Sequence, residues 1–348
     1  LQMTDTTLKG WIRVLLQKAC AQDVLSQHQK GDHSACKRAV PLLWAKWSQM
    51  ADVPVHNGSI LEQEWDRVAI TIAYAVVNHI QSEWDFEQFE DKVSWSTSAS
   101  TNPDQTTTKL AKYFQSLNLG CLDEPHTTLD KHGKVILWYL PNLISPSQVT
   151  MLKHNLLSLR DILKRSIVPT SQGSNTNCPW QLQGFLLDTE APIFGKGKVT
   201  LSPAYFMQRR EIWTSLRDPD ILSWLCKMAP FEDFLNSRLN MVHLKLVTAC
   251  QTAWEEAVKI LLLQNPLCFW PSLFWGMELI VNQITPDHQD QSCMVQGYDS
   301  LISLGAGHEA RLDLPDIGAS LKYGPWCGVY LAGKVSRHSV PLWSGGER

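Results

Sequence analysis

NQITPDHQDQSCMVQGYDSLISLGAG (282–307), continuing through LDLPDIGASLKYGPWCGVYLAGKVSRHSV (312–340) to PLWSGGER (341–348), sets the architecture expected of the whole chain. A His-x-Asp pair, His288 and Asp290, opens it, and this pattern occurs only once in the sequence. Short apolar runs separated by Gly and Pro follow, as in a succession of short strands. The run 328–333, bounded by Gly328 and Gly333, leads to His338, and Arg348 stands ten residues further on. Side chains at i and i+2 of a strand share a face, so His288 and Asp290 can reach one metal ion, with His338 delivered from a neighbouring strand. Two imidazoles and one carboxylate on one face of an octahedron suit non-haem Fe(II) and leave positions open for a bidentate co-substrate and O₂. A co-substrate such as 2-oxoglutarate has a distal carboxylate that needs a cation, and a planar guanidinium pairs with it through two parallel hydrogen bonds. Arg348 is placed to be that cation, and Asn282 or Gln283 to bind the other end. The competing His308, in GAGHEAR, reads as an exposed hairpin turn.

Upstream, the sequence reads as helices and then mixed structure. Leu8, Trp11, Ile12, Leu15, Leu16 and Ala19 recur at helical spacing, and Ser59 with Glu62 forms a capping-box pattern ahead of Leu61, Trp65, Val68, Ile72 and Val76. His79, near the end of that second helix, reads as a core or boundary histidine. Residues 94–108 are polar and Ser/Thr-rich, as in a linker, and 169–177 form a second polar loop. Val135–Leu140 and Trp180–Leu187 read as strands. A helix over 149–165 carries Val149, Leu152, Leu156, Leu159 and Leu163 on one side, and a long helix over 234–263, ended by Pro266, would brace a sheet. The expected class is α+β, with a mainly helical region over 1–130 and a β-rich core over 131–348 supported by these helices.

Composition narrows the function. No run of apolar residues is long enough to span a bilayer, and LQMTDTTLKG at residues 1–10 lacks the charged and apolar regions of a secretory signal. The 9 cysteines are scattered and never form a CxxC pair, which argues against a disulfide framework or a zinc module. The net charge of −3 gives no hint of nucleic acid by itself, but residues 130–250 hold 14 Lys+Arg against 9 Asp+Glu, net +5, between flanks that are each net −4. Within that segment Lys196, Lys198, Arg209 and Arg210 interleave with Tyr205, Phe206 and Trp213, charges for phosphates and rings for bases. A loop packed on the core by its aromatics, with solvated arginines, is the other reading of the same residues.

The stretches VNQITPDHQD, GYDSLISLGAG and LDLPDIGASLKYGPWCGVYLAGKVSRHSVPLWSGGER resemble the TET/JBP family of Fe(II)- and 2-oxoglutarate-dependent nucleic-acid base dioxygenases, in the form found in basidiomycete fungi. VTLSPAYFMQRR and FWPSLFWGM are similar to the same branch, so the resemblance covers about residues 195–348. It implies a double-stranded β-helix (jelly roll) with helices outside, His288, Asp290 and His338 as iron ligands, and Arg348 as the 2-oxoglutarate anchor. It also implies conversion of O₂ and 2-oxoglutarate to CO₂ and succinate as the methyl of a flipped 5-methylcytosine in double-stranded DNA becomes hydroxymethyl, then formyl and carboxyl. A nuclear location follows from that substrate, and a monomer is expected. The Cys-rich region of the mammalian members is absent, so no structural zinc is expected. Cys293 stands where some relatives carry a carboxylate that contacts the base, and the implied fold continues through one more strand, beyond Arg348 or from earlier in the chain. Other readings of the same triad are an N6-methyladenine demethylase resembling the AlkB group, although its RxNxTxR ending is missing, a protein hydroxylase, and a DNA-binding jelly roll without iron.

Overall fold

The computed structural model describes residues 60–97, 114, 116–166, 194–203, 216, 218–260, 267–290, 293, 294, 296–341 and 343–348. In chain order the elements are α1 (Ile60–Val77), β1 (His79–Gln81), α2 (Phe86–Thr97), β2 (Gly120–Leu122), β3 (His126–Leu129), β4 (Val135–Leu140), α3 (Pro146–Leu156), a 3₁₀ turn (Leu157–Leu159) and α4 (Arg160–Ser166). There follow β5 (Gly197–Leu201), α5 (Pro219–Val242), α6 (Leu244–Ala257), β6 (Met277–Val281), β7 (Thr285–His288), β8 (Asp299–Ile302), β9 (Ala306–Glu309), β10 (Arg311–Leu314), β11 (Ala319–Lys322), β12 (Gly328–Leu331), β13 (His338–Val340) and β14 (Ser344–Glu347). The architecture is mixed α+β, as the sequence leads one to expect. The expected helix over 7–20, the strand over 180–187 and the loop over 169–177 lie outside the described residues. The chain divides into two units. One holds the described residues up to Ser145 with 288–303 and 312–338, and the other holds 146–287, 304–311 and 339–348.

In the first unit β4 is the central strand. All six side chains of VILWYL are buried, and β3 pairs on one edge of the strand and β12 on the other, both antiparallel. Trp138 faces Tyr330 in one register and Thr127 in the other. Burying side chains of this size contributes roughly 1.5–3 kcal/mol each, so this continuous apolar run is the main anchor of the unit. The sheet continues to β8 beyond β12 and to a parallel β1 beyond β3. The β3–β4 turn is built by Asp130, whose carboxylate accepts from the backbone N–H of His132 at 2.9 Å and of Lys134 at 2.7 Å, while Gly133 takes φ 78°.

α1 buries Val68, Ile70, Thr71, Ile72, Ala73 and Ala75. It is enclosed on more than one face, not along the single stripe that the spacing suggests. Ser59 lies outside the described residues. His79 is exposed, on β1, in place of the core or boundary position near the helix end expected for it. α2 starts at Asp85, whose side chain accepts from the N–H of Gln88 at 3.0 Å. That helix runs through Thr97, so the first four residues of the expected 94–108 linker are helical. The anchoring of Phe86, Phe89 and Glu90 in the core outweighs the weak helix propensity of the Ser/Thr turn.

The second unit is helical with two short ladders. The apolar stripe expected over 149–165 is buried at Val149, Leu152, Leu159 and Leu163, but a 3₁₀ turn at Leu157–Leu159 breaks the expected single helix into α3 and α4. The expected helix over 234–263 is two helices. α5 begins earlier, at an Asp218 cap followed by Pro219, and ends at His243, whose φ of −153° leaves the helical region. The His243 Nδ1 then accepts from the N–H of Leu246 at 3.2 Å and starts α6. A hydrophobic pattern continuous across a break cannot reveal a residue that closes one helix and opens the next. α5 packs against both α3 and α6. β5 pairs antiparallel with β6, and β9 with β14.

Candidate metal centre

His288 is the last residue of β7, Asp290 lies just beyond it, and His338 is the first residue of β13. The strand that was to display His288 and Asp290 on one face therefore stops between them. Asp290 is instead placed by its backbone, whose N–H donates to the carbonyl of Gly333 at 2.9 Å. The three side chains still meet. Nε2 of His288 lies 3.5 Å from Asp290 Oδ1, and Nε2 of His338 lies 3.4 Å from Asp290 Oδ2. His338 is buried, whereas His288 and Asp290 are partly open to solvent.

The tautomers follow from the backbone. His288 Nδ1 is 3.1 Å from the carbonyl oxygen of His338, and His338 Nδ1 is 3.2 Å from that of Ser336. A carbonyl can only accept, so each Nδ1 carries a hydrogen, and in the neutral rings both Nε2 lone pairs point at the Asp290 carboxylate. Three groups of electron-rich atoms converge on one point, an arrangement that calls for positive charge between them, from a metal ion or from protons on Nε2. Without a cation there, protons on the two Nε2 atoms are the alternative: burial would raise the Asp290 carboxyl, but the hydrogen bonds and charge those protons bring from His288 and His338 outweigh it and hold the group well below the usual carboxylate range. Two Nε2 donors and one carboxylate, with each imidazole steered by a carbonyl on its far nitrogen, fit a divalent first-row ion such as Fe(II).

Next to the triad, Asp290, Cys293 and Asp299 form a second close group. Burial first, and then the neighbouring carboxylates, push the Cys293 thiol up, and it hydrogen-bonds to Asp299. Burial likewise pushes the Asp299 carboxyl up to about 6. Gly333 sits against both carboxylates. A Cβ there would overlap Asp299 Oδ2 and come within 2.8 Å of Asp290 Oδ2. The sequence marks Gly333 only as the end of a strand, and nothing in it signals this close approach.

Arg348, Asn282 and Gln283 meet in the second unit. Arg348 follows β14, and its guanidinium donates to the carbonyl of Gln283 at 2.8 Å and lies 5.6 Å from the Trp343 ring. Asn282, at φ 53°, is a clasp. Its amide donates to the Gly195 carbonyl at 2.8 Å and to Glu347 at 3.1 Å, its Oδ1 accepts from the Arg348 N–H at 3.0 Å, and its own N–H donates to the Arg348 carbonyl at 2.8 Å. Gln283 is fully buried.

His308 corrects the sequence reading. It is only 3% exposed, on β9, where it faces Gly345 of β14. The partner strand lies some 35 residues away in sequence, which is why GAGHEAR looks like an open turn. Its Nε2 donates to the Leu304 carbonyl at 2.6 Å, its Nδ1 has no hydrogen-bond partner among the described residues, and burial lowers its pKa.

Of the basic residues, Lys198 is on β5 and pairs with Glu278 of β6 at 2.7 Å, and Lys196 is half-buried just before it. Arg209 and Arg210, with Tyr205, Phe206 and Trp213, lie outside the described residues. No helix among the described residues is long and apolar enough to cross a membrane.

No protein-family model matches the chain. No curated protein matches it either. Among solved structures, NgTET1 in complex with 5mC DNA is similar at 13% identity, over 76% of this chain and 88% of that one, with a TM-score of 0.44. That likeness is too slight to carry an argument about function.

Proposed function

We propose that the protein is an Fe(II)- and 2-oxoglutarate-dependent dioxygenase that oxidises 5-methylcytosine in double-stranded DNA to its hydroxymethyl, formyl and carboxyl forms. The observation that carries the reading is the convergence of His288 Nε2, His338 Nε2 and the Asp290 carboxylate on one point, with both Nδ1 atoms turned to backbone carbonyls. The choice of DNA as substrate rests on the TET/JBP motifs of residues 195–348, in their basidiomycete form, and on the net +5 charge of residues 130–250. In this reading residues 131–348 form a double-stranded β-helix core, residues 1–130 a helical region, and the protein works as a monomer in the nucleus.

Fe(II) with 2-oxoglutarate and O₂ supplies, when bound, the oxidising capacity to break the C–H bond of a methyl group, which side chains alone lack. His288 and His338 present Nε2 to the metal, and the carbonyls of His338 and Ser336 fix their rings in that orientation. Asp290 would give the single negative charge beside the two imidazoles. Arg348 pairs with the distal carboxylate of the co-substrate, with Asn282 and Gln283 beside it. Lys196, Arg209 and Arg210 would meet phosphates while the target base is turned out of the duplex, and Lys198, paired with Glu278 at 2.7 Å, would contribute little to that contact.

The test is mass spectrometry of nucleosides after the full chain is incubated with methylated duplex DNA, Fe(II), 2-oxoglutarate and O₂. Hydroxymethylcytosine is the expected product. Loss of N6-methyladenine with 5-methylcytosine untouched would replace this substrate with the other methylated base, and no turnover of either would overturn the reading.

A further inference from the structure

The three candidate ligands are all oriented by one short run of main chain. Gly333 O accepts from the Asp290 N–H at 2.9 Å, and Val335 O accepts from the side chain of Gln289, between the two ligands of the HxD pair, at 2.6 Å. Ser336 O faces His338 Nδ1 at 3.2 Å, and His338 O faces His288 Nδ1 at 3.1 Å. The segment 333–338 thus acts as a template, and the angle of each donor depends on where its carbonyls point. Within the segment, the N–H groups of Val335 and Ser336 turn back to the Ala332 carbonyl at 3.1 and 2.9 Å, which shapes the turn but does not fix its position.

Its position is fixed from outside by Asp316. One carboxylate oxygen accepts from the backbone N–H of Arg337 at 2.7 Å, and the other accepts from its Nε at 3.1 Å. The pair is largely sheltered, with side-chain exposures of 13% and 22%, so water competes weakly with these charge-assisted bonds. Asp316 stands on a rigid turn between β10 and β11. The Gly318 N–H closes that turn onto the Leu314 carbonyl at 2.8 Å, and Gly318 takes φ 73° against Ser116 and Asn118. A carboxylate bonded to the main chain of residue 337 sits one peptide away from ligand His338 and from the carbonyl that steers ligand His288.

We propose that Asp316 is a positioning residue for the metal centre, holding the 333–338 carbonyl template in register through Arg337. This rests on the reading of His288, Asp290 and His338 as metal ligands. Loss of partners that orient metal ligands costs about 10–100-fold in affinity, and Asp316 stands one step further out, so the low end of that range is expected.

The experiment titrates the metal-free full chain with Co(II) under anaerobic conditions and reads both the dissociation constant and the visible absorption bands, which report ligand geometry independently of catalysis. Asp316→Ala should weaken Co(II) about 10-fold and shift the bands. Asp316→Asn, which still offers an oxygen to the Arg337 N–H but no charge, should fall between it and the unaltered chain, and it carries the test if the alanine variant does not fold. Wild-type affinity and bands in the Asn variant and in any folded Ala variant would overturn the proposal. The metal reading is checked separately by the unaltered chain and Asp290→Ala: if the unaltered chain binds no Co(II), or Asp290→Ala binds it equally well, that reading fails and this proposal with it.

Discussion

His288 and His338 stand with ring centroids 4.3 Å apart and planes tilted by 50°, and the Nδ1 of the first faces the carbonyl oxygen of the second at 3.1 Å. One ligand therefore positions the other through its own peptide. His288→Ala or Asp290→Ala should reduce product formation to background while leaving affinity for duplex DNA within about twofold, because neither side chain meets phosphate. Parallel nucleoside and DNA-binding assays check this, and residual turnover in either variant would place the metal elsewhere.

Gly333→Ala introduces a methyl group against two carboxylates. The Asp290 oxygen at 2.8 Å must move, and with it one ligand of three. The expected result is a loss of metal affinity of about tenfold or more, as for other disturbances around ligating groups, with a smaller effect on the thermal midpoint of the metal-free protein. Calorimetry with and without Co(II) separates the two.

Arg348→Ala should raise the KM for 2-oxoglutarate at least about tenfold, since a charge-assisted bidentate pair is removed. Arg348→Lys should recover only part of it, because an ammonium group cannot make the two parallel bonds. A KM unchanged in both variants would remove Arg348 from the co-substrate site.

Lys198 and the Arg209–Arg210 pair should respond differently to salt. Lys198 already pairs with Glu278 at 2.7 Å, so Lys198→Ala should change the salt dependence of DNA binding little. Replacing both arginines should flatten the slope of log K against log salt by about two units, nearly one for each phosphate that is no longer neutralised. An unchanged slope would take the arginines out of the interface.

Glu232 is buried within α5, and that burial, reinforced by Asp233 and opposed by Ser272, pushes its carboxyl up from 4.5 to about 7. As pH rises from 4.5 towards 7 the unfolded chain gives up this proton before the folded one does, so folding stability falls across that window and levels off above it. Glu232→Gln should remove that slope and stabilise the protein at pH 8 by up to about 3 kcal/mol, measured by urea unfolding at a series of pH values.

Much of this site can be read from the chain because its signals are local. His288 and Asp290 are two residues apart, and VILWYL at 135–140 declares a strand buried on both faces. The rest is long-range. His308 is buried by a strand that arrives only at Ser344, and Asp316 meets Arg337 from 21 residues away, a separation at which no periodicity links the two. The break at His243 is hidden for the opposite reason, since the apolar residues on either side of it continue one pattern.

Segment 333–338 orients its ligands with carbonyls, and every amino acid has one. Apart from Gly333, where a Cβ would strike the carboxylates, Arg337, whose side chain binds Asp316, and the ligand His338 itself, the run can exchange side chains freely as far as the metal is concerned. Substitution at buried Val335 or Ser336 would register as altered packing. The steering of the centre is thus written largely in the shape of the main chain, so an alanine scan of the segment would find Gly333, Arg337 and His338 but pass over the carbonyls of Val335 and Ser336.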